Sequence, residues 1–229
     1  IDPEDKSVYN SAQNFNDNVV CVCMEAPYRF YETVLDDIIS MYEEAGLEMK
    51  VMHAGGDEVP AGSWTDSPVC AAFMQEHPEI SGTDNLQAYC EGRLYEILEE
   101  RELVMAGWEE IAMKKNEEGV WVPNPEFLDK KMLPYVWNNL WGNLDLGNRL
   151  ANTGFPVILC NATNFYFDFG YNHHPSEPGH YWGGLVNTRR VFEFVPYDFF
   201  KSSTTNRYWQ AIDTEKAFEG QEKLKPEAY

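Results

Sequence analysis

Apolar residues recur at helical spacing in two stretches of the chain. The first set shares one helix face and consists of Phe30, Val34, Leu35, Ile38, Met41 and Tyr42. The second set consists of Leu86, Tyr89, Cys90, Leu94, Ile97 and Leu98. Because residues three and four positions apart lie on one side of a helix, both sets predict amphipathic helices. Gly46 is expected to end the first helix, because glycine readily adopts the left-handed conformation found at helix C-termini.

Short apolar runs between these helices predict strands. They cover residues 49–53, 103–108, 135–138 and 155–160, and residues 18–23 are a fifth candidate. A further helix, ending within 148–152, is expected before the last run. Since the runs are apolar throughout and do not alternate, the strands are expected to be parallel and covered by helices. The sequence therefore predicts an α/β fold.

Polar and aromatic residues follow the ends of the four predicted strands. They are Asp57 with Glu58, Trp108 with Glu109, Trp137 with Asn138, and Tyr166 with Asp168. The carboxyl ends of parallel strands meet at one rim of a sheet, and such folds carry their chemistry there. These residues are therefore candidates for a functional site.

Two adjacent carboxyl groups, Asp57 and Glu58, directly follow Gly55 and Gly56. Carboxyl groups at close range resist ionising together, so one of them is expected to stay protonated and to donate its proton to a leaving group. A purely structural interpretation stays open, because acidic residues also favour the N-terminus of a helix.

The chain is rich in tryptophan, with seven residues. Indole faces stack on the apolar C–H faces of sugar rings, and aromatic edges form the walls of small apolar pockets. Trp108 and Trp137 lie at strand ends, where a site is expected. Trp121 and Trp209 are interpreted as packing residues.

The charge of the chain excludes two classes of partner. Seventeen Lys and Arg against 38 Asp and Glu give a net charge of −21. Nucleic acids and anionic membrane surfaces attract basic proteins, so neither is expected as a partner. Hydrophobic residues make up 44% of the sequence, which is sufficient for a sizeable core.

The five cysteines and five histidines give weaker signals. The cysteines are odd in number and irregularly spaced, so they are interpreted as small buried apolar residues without a disulfide framework. His173 and His174 are adjacent, but neighbours in an extended segment point apart and no ligand cluster accompanies them. No metal is expected, and a metal-dependent hydrolase that uses these histidines with His53 and Asp57 is an alternative.

Several motifs resemble those of one enzyme family. Residues 53–59, His-Ala-Gly-Gly-Asp-Glu-Val, resemble the H-x-G-G-D-E signature of glycoside hydrolase family twenty, the β-N-acetylhexosaminidases. Gly107-Trp108-Glu109-Glu110, Val136-Trp137-Asn138 and Tyr166-Phe167-Asp168 are similar to its fifth-, sixth- and seventh-strand motifs. Segments 177–179 and 181–184 resemble the loop after the seventh strand, and segments 2–9 and 17–19 resemble the loop before the fourth.

The resemblance implies removal of a terminal β-linked N-acetylhexosamine (GlcNAc or GalNAc), with retention of configuration and through an oxazolinium intermediate. It implies that Glu58 is the general acid and base, that Asp57 holds the acetamido nitrogen, and that Tyr166 holds the acetamido oxygen. The implied substrate-binding residues are Trp108, Trp137, Trp182, Asp168 and His53. From its position before Gly55 and Gly56, His53 is also interpreted as supporting the turn that bears the acids.

The resemblance also implies a partial TIM (β/α)8 barrel, about strands four to seven with their helices, as one partial catalytic domain over residues 1–229. The expected partner is an N-acetylhexosamine-containing oligosaccharide, no cofactor is implied, and the remaining barrel strands or another copy of the chain would complete the domain. An extracytoplasmic location (periplasmic, secreted or cell-surface) follows from the family. The alternative function is a non-catalytic carbohydrate-binding or truncated fragment of such an enzyme.

Overall fold

The computed structural model describes residues 2–80, 82–116, 118–206, 208 and 210–228, and Trp209 lies outside these residues. The chain divides into two compact units, Ile1–Met132 and Leu133–Tyr229. The single partial catalytic domain expected over residues 1–229 stays a prediction.

The first unit contains a parallel strand pair and its connecting helices. Its elements are α1 (Glu25–Glu44), β1 (Val51–His53), α2 (Pro68–Glu76), α3 (Leu86–Glu99), β2 (Val104–Trp108), β3 (Met113–Lys115) and β4 (Trp121–Pro123). In β1 and β2, Val51 lies opposite Val104 and His53 opposite Ala106. A parallel pair joined through helices is the βαβ unit that the apolar runs predict. The strands β3 and β4 form an antiparallel hairpin.

The second unit repeats this arrangement on a smaller scale. Its elements are β5 (Met132–Val136), which begins at the unit boundary, α4 (Leu146–Thr153), β6 (Ile158–Leu159), α5 (Ala162–Phe165), α6 (Thr188–Phe192) and α7 (Thr214–Ala217). Strands β5 and β6 are parallel, with Tyr135 opposite Ile158. Gly154 ends α4 with φ +116°. The predicted α/β class is thus confirmed, and a strand lies at each of the four predicted runs. The third strand is displaced, because β5 covers Met132–Val136 where residues 135–138 were expected.

The candidate strand at residues 18–23 is wrong, because this segment forms turns and irregular structure. Side chains satisfy its backbone groups in place of a neighbouring strand. The indole N–H of Trp64 donates to Val20 O (2.9 Å), and the hydroxyl of Tyr28 donates to Val22 O (2.6 Å). The apolar character of the segment reflects its place in the core, where Cys21 and Val22 are buried.

Helix α1 forms as predicted and is followed by Gly46 with φ +71°. Its predicted apolar face is buried only in part, however: on that face Leu35 is fully buried and Ile38 is half-buried, whereas Phe30 is 72% exposed. Charged side chains also hold α1 in place. Arg93 of α3 forms a bidentate pair with Glu25, and Arg101, just after α3, forms one with Asp36. Among the described residues, no helix is both long enough and apolar enough to cross a membrane.

The interpretation of all cysteines as unpaired apolar residues is wrong for two of them. Cys23 and Cys70 form a disulfide, with Cα atoms 5.3 Å apart. Cys21 and Cys90 are free thiols, and Cys21 is buried with its sulfur 3.8 Å from that of Cys70. The disulfide joins the segment before α1 to α2 across 47 residues, a separation from which local sequence gives no pairing signal.

Candidate functional site

After β1 the chain turns at Gly55 and Gly56, and this turn is hydrogen-bonded to the end of β2. The backbone N–H of Trp108 donates to Gly55 O at 2.8 Å. Gly55 and Gly56 have φ of +78° and +101°, in the left-handed region that favours glycine. A Cβ atom on Gly56 would lie 2.7 Å from Ile111 Cγ2, so a larger residue would clash there. The two glycines therefore fix the starting point of the acidic pair that follows.

Asp57 and Glu58 are exposed at the end of this turn. Glu58 has φ +57°, a left-handed conformation that costs a non-glycine residue about 1 kcal/mol. The side-chain amide of Gln13 donates to Glu58 Oε2 at 2.9 Å. Gln13 precedes Glu58 by 45 residues, so sequence spacing gives no indication of this contact.

A third carboxyl group, that of Glu110, lies beside this turn. The backbone N–H of Glu58 donates to the Glu110 carboxyl group, and among the described residues Glu110 Oε2 is buried without a hydrogen-bond partner. Burial raises the pKa of Glu110 to about 8, and the charges of Glu109 and Asp57 add to the rise. Glu110 is therefore largely protonated at neutral pH.

A fourth acid, Glu91, lies on α3 and is linked to the turn. Glu91 is 3% exposed, and burial raises the pKa of its carboxyl group well above the ordinary value. The amide of Gln87 donates to Glu91 Oε1 (3.0 Å) and to Gly56 O (2.9 Å), and so connects the buried acid to the turn. These side chains line a cavity of about 370 Å³ together with Asp57 and Glu58. Apolar periodicity marks α3 but gives no sign of a buried acid within it.

The raised pKa of Glu110 predicts a stability that depends on pH. The folded state keeps its proton up to about pH 8, whereas the unfolded chain releases it near pH 4.5, so rising pH between these values favours unfolding. Glutamine cannot ionise. Glu110→Gln should therefore gain unfolding free energy relative to the wild type across this window, by up to about 5 kcal/mol at its upper end.

Urea unfolding at pH 4.5, 6, 7 and 8.5 measures this difference. The matched control is Glu44→Gln, which changes an exposed glutamate at the end of α1. A difference between Glu110→Gln and the wild type that stays constant with pH would contradict the expected proton on Glu110.

His53 supports the turn, as the sequence suggests. The backbone N–H of Gly55 donates to His53 Nδ1 at 3.3 Å, and the imidazole meets the Trp108 indole edge-to-face with ring centres 5.1 Å apart. Partial burial lowers the pKa of His53, and the charge of Asp57 opposes this effect. A neutral imidazole is the form that accepts a hydrogen bond at Nδ1.

In the second unit, three predicted aromatic residues form a corner. Trp137 follows β5 and Tyr166 follows α5, and their ring planes are nearly parallel at 21°. Trp182 stands at 84° to the first ring and 85° to the second, with ring centres 6.1 and 5.7 Å away. Two nearly parallel rings and a third perpendicular to both form an apolar corner with an edge-to-face contact on each side.

The loop that carries Trp182 packs tightly against the segment that carries Asp168. The backbone N–H of His180 donates to Asp168 O at 2.8 Å. A Cβ atom on Gly179 would lie 2.0 Å from Gly170 N, and one on Gly183 would lie 2.4 Å from the Phe169 ring. These glycines permit the close packing that fixes Trp182, while the Asp168 side chain stays exposed.

The structure thus groups the predicted site residues into two sets, one in each unit. The first set is His53, Asp57, Glu58 and Trp108, and the second is Trp137, Tyr166, Asp168 and Trp182. Across the described ranges, no group of three or more metal-ligating side chains converges.

Comparison with known proteins identifies the family. The sequence profile of glycosyl hydrolase family 20, catalytic domain, matches residues 2–222. The chain belongs to this family. Catalytic domains of family 20 are TIM barrels, and the parallel strands and helices described above fit that class.

The relatives of this family 20 chain include bacterial glycosidases. A beta-hexosaminidase from Vibrio vulnificus is 32% identical over 199 residues, which cover 85% of this chain and 23% of the relative. An N,N'-diacetylchitobiase from Vibrio harveyi is 24% identical, over 90% of this chain and 26% of the relative. The crystal structure of a Vibrio harveyi exo-β-N-acetylglucosaminidase with N-acetylglucosamine superposes with a TM-score of 0.69 at 29% identity, covering 86% of this chain and 27% of that one. This chain therefore spans about a quarter of the length of these relatives.

Proposed function

We propose that this chain forms part of a β-N-acetylhexosaminidase that removes a terminal β-linked GlcNAc or GalNAc. The observation that carries the proposal is the exposed Asp57–Glu58 pair, which a two-glycine turn fixes at the end of a parallel strand in a family 20 chain. This is the position where barrel enzymes carry catalytic groups.

The first step of the proposed reaction breaks the glycosidic bond. The acetamido oxygen of the substrate attacks the anomeric carbon, the bond to the leaving oxygen breaks, and Glu58 gives its proton to that oxygen. Asp57 accepts a hydrogen bond from the acetamido N–H and stabilises the positive charge that develops there. Tyr166 donates to the acetamido oxygen and orients it.

In the second step, water hydrolyses the oxazolinium intermediate. Glu58, now a carboxylate, takes a proton from a water molecule, and the resulting hydroxyl bonds to the anomeric carbon as the ring opens. Two displacements at the same carbon give retention of configuration. In this proposal Trp108, Trp137 and Trp182 contact the apolar faces of the sugar and its methyl group, and Asp168 binds a hydroxyl group.

The proposal extends to the rest of the domain and to its location. The described residues hold four parallel strands, β1, β2, β5 and β6, and a barrel has eight; we propose that these are strands four to seven and that further strands or another copy of the chain complete the barrel. We also propose a periplasmic, secreted or cell-surface location. The Cys23–Cys70 disulfide supports it, because disulfides persist in oxidising compartments.

Substrates with fluorinated N-acyl groups test the proposed nucleophile. Each fluorine withdraws electrons from the acetamido oxygen and makes it a weaker nucleophile. For a protein that contains these 229 residues, kcat should therefore decrease from the aryl glycoside of N-acetylglucosamine to that of N-fluoroacetylglucosamine and again to that of N-trifluoroacetylglucosamine. Proton NMR should show the β-anomer as the first product. Equal rates along the series, or an α-anomer as first product, would contradict substrate-assisted hydrolysis.

A further inference from the structure

Three cysteines from two distant segments meet in the core of the first unit. Cys23 and Cys70 form the disulfide described above, and the free thiol of Cys21 lies with its sulfur 3.8 Å from that of Cys70. At this distance the two sulfur atoms are in van der Waals contact. A thiol in contact with one sulfur of a disulfide is the starting arrangement of thiol–disulfide exchange.

Burial differs among the three sulfurs. Cys21 is 2% and Cys70 0% exposed, whereas Cys23 is half-buried and packs against the edge of the same apolar cluster. A thiol from solution therefore has access to the sulfur of Cys23 but not to that of Cys70. Attack on Cys70 has to come from inside the protein, and Cys21 holds a thiol in direct contact with it.

Polar groups lie beside the Cys21 sulfur despite its burial. Burial raises the pKa of this thiol, the backbone N–H of Cys23 lowers it, the charge of Asp2 raises it, and a hydrogen bond with Ser67 lowers it. Ser67 is fixed in place, because its hydroxyl accepts from the backbone N–H of Cys70 (3.1 Å) and donates to Asp2 Oδ2 (2.7 Å). The hydrogen bonds to the sulfur stabilise the thiolate, which is the nucleophile of an exchange reaction.

We propose that Cys21, Cys23 and Cys70 form a thiol–disulfide exchange site, in which Cys21 displaces Cys23 and gives the chain a second disulfide pairing, Cys21–Cys70. Cys21 gives its proton to water, and its sulfur forms a bond to the sulfur of Cys70. The bond between Cys70 and Cys23 breaks, and the Cys23 sulfur leaves with the electron pair and takes up a proton. One disulfide is lost and one is formed, so the step needs neither an oxidant nor a reductant.

The exchange moves the free thiol from the core to the edge of the first unit. In the pairing described above the free thiol is buried at Cys21, and in the second pairing it lies at the half-buried Cys23, two residues before α1. A buried thiol is inert, whereas an accessible one reacts with small disulfides such as oxidised glutathione. The second pairing therefore makes the chain a target for a mixed disulfide at Cys23.

Alkylation of the folded chain tests this proposal. The oxidised 229-residue chain is incubated with iodoacetamide at about pH 8.5, near the ordinary pKa of a thiol. Digestion and mass spectrometry, with fragmentation between Cys21 and Cys23, then locate the label and the disulfide. The label should accumulate on Cys23 in molecules that carry a Cys21–Cys70 disulfide, because alkylation traps the thiol that the exchange releases. Cys21→Ser should abolish this labelling, since the attacking sulfur is missing.

Cys90→Ser is the matched control, because it removes a free thiol of α3 that takes no part in the exchange. It should leave the rate of Cys23 labelling unchanged. Dilution of the protein should also leave this rate unchanged, since the reaction takes place within one chain. A labelling rate that rises with protein concentration would indicate exchange between chains and would contradict the proposal.

Cys23→Ser gives a second test that does not depend on trapping. Oxidation of this variant with oxidised glutathione should link Cys21 to Cys70, because their sulfurs are already in contact. The proposal fails if these two residues stay unlinked, if the wild type is labelled on Cys21 or on none of the three cysteines, or if Cys21→Ser is still labelled on Cys23. No arm of the experiment uses a sugar, so its outcome is independent of the proposed enzymatic function.

Discussion

Glu58→Gln should lower kcat for an aryl β-N-acetylglucosaminide by about 10²- to 10⁴-fold, the range that a positioned acid or base contributes. Glutamine keeps the size of the side chain and the contact with Gln13, which donates its amide N–H to Glu58 Oε2. It removes the proton that the leaving oxygen needs and the carboxylate that activates water. Since one residue serves both steps, substrates with good and poor leaving groups should both be affected.

The measurement compares kcat and KM for a 4-nitrophenyl and an alkyl glycoside, in a protein that contains these 229 residues. Glu44→Gln, which alters an exposed glutamate of α1, serves as control and should behave as wild type. Unchanged kcat for both glycosides in Glu58→Gln would remove Glu58 from its role.

Asp57→Asn should lower kcat/KM for 2-acetamido substrates by about 10²- to 10³-fold, the loss found when one group aimed at developing charge is removed. The asparagine has nearly the same shape but no negative charge to oppose the positive charge of the oxazolinium ring. Substrates with a 2-hydroxyl group form no such ring, so their slower hydrolysis should change much less.

The discriminating quantity is the ratio of kcat/KM between acetamido and hydroxyl substrates, measured for the wild type and for Asp57→Asn. Asp37→Asn, an exposed change on α1, should leave this ratio unaltered. An equal loss on both substrate types would indicate that Asp57 supports the fold of the turn and not the acetamido group.

The ends of the first two strands were predictable because apolar runs and glycines act locally, whereas β5 ends two residues before its predicted run does. Strand β2 ends at Trp108 and β1 at His53, as the runs indicate, and the Asp57–Glu58 pair follows its turn as expected. The surroundings of this pair were not predictable: Gln13 donates to Glu58 from a distant loop, and Glu91, which lines the same cavity, is buried among the apolar residues of α3. Their positions depend on tertiary packing, which produces no periodic pattern of residues in the sequence.

Apolar patterning was also an imperfect guide to exposure. Phe30 and Met41 lie on the predicted face of α1 and are exposed, and Trp141 is a large apolar residue that faces solvent. Sequence periodicity reports which residues share a face, but burial depends on what packs against that face. The Cys23–Cys70 disulfide was missed for a related reason, because pairing depends on Cα separation in space and not along the chain.

The contact between Gly107 and Gly55 has a consequence for the evolution and engineering of this protein. A Cβ atom on Gly107 would lie 2.8 Å from the carbonyl oxygen of Gly55, the same oxygen that accepts from Trp108. Residues larger than glycine are therefore excluded where the end of β2 contacts the turn that leads to Asp57 and Glu58. Laboratory evolution of new sugar preferences should draw its successful changes from the surrounding loops, and libraries that randomise this junction should yield mostly inactive members.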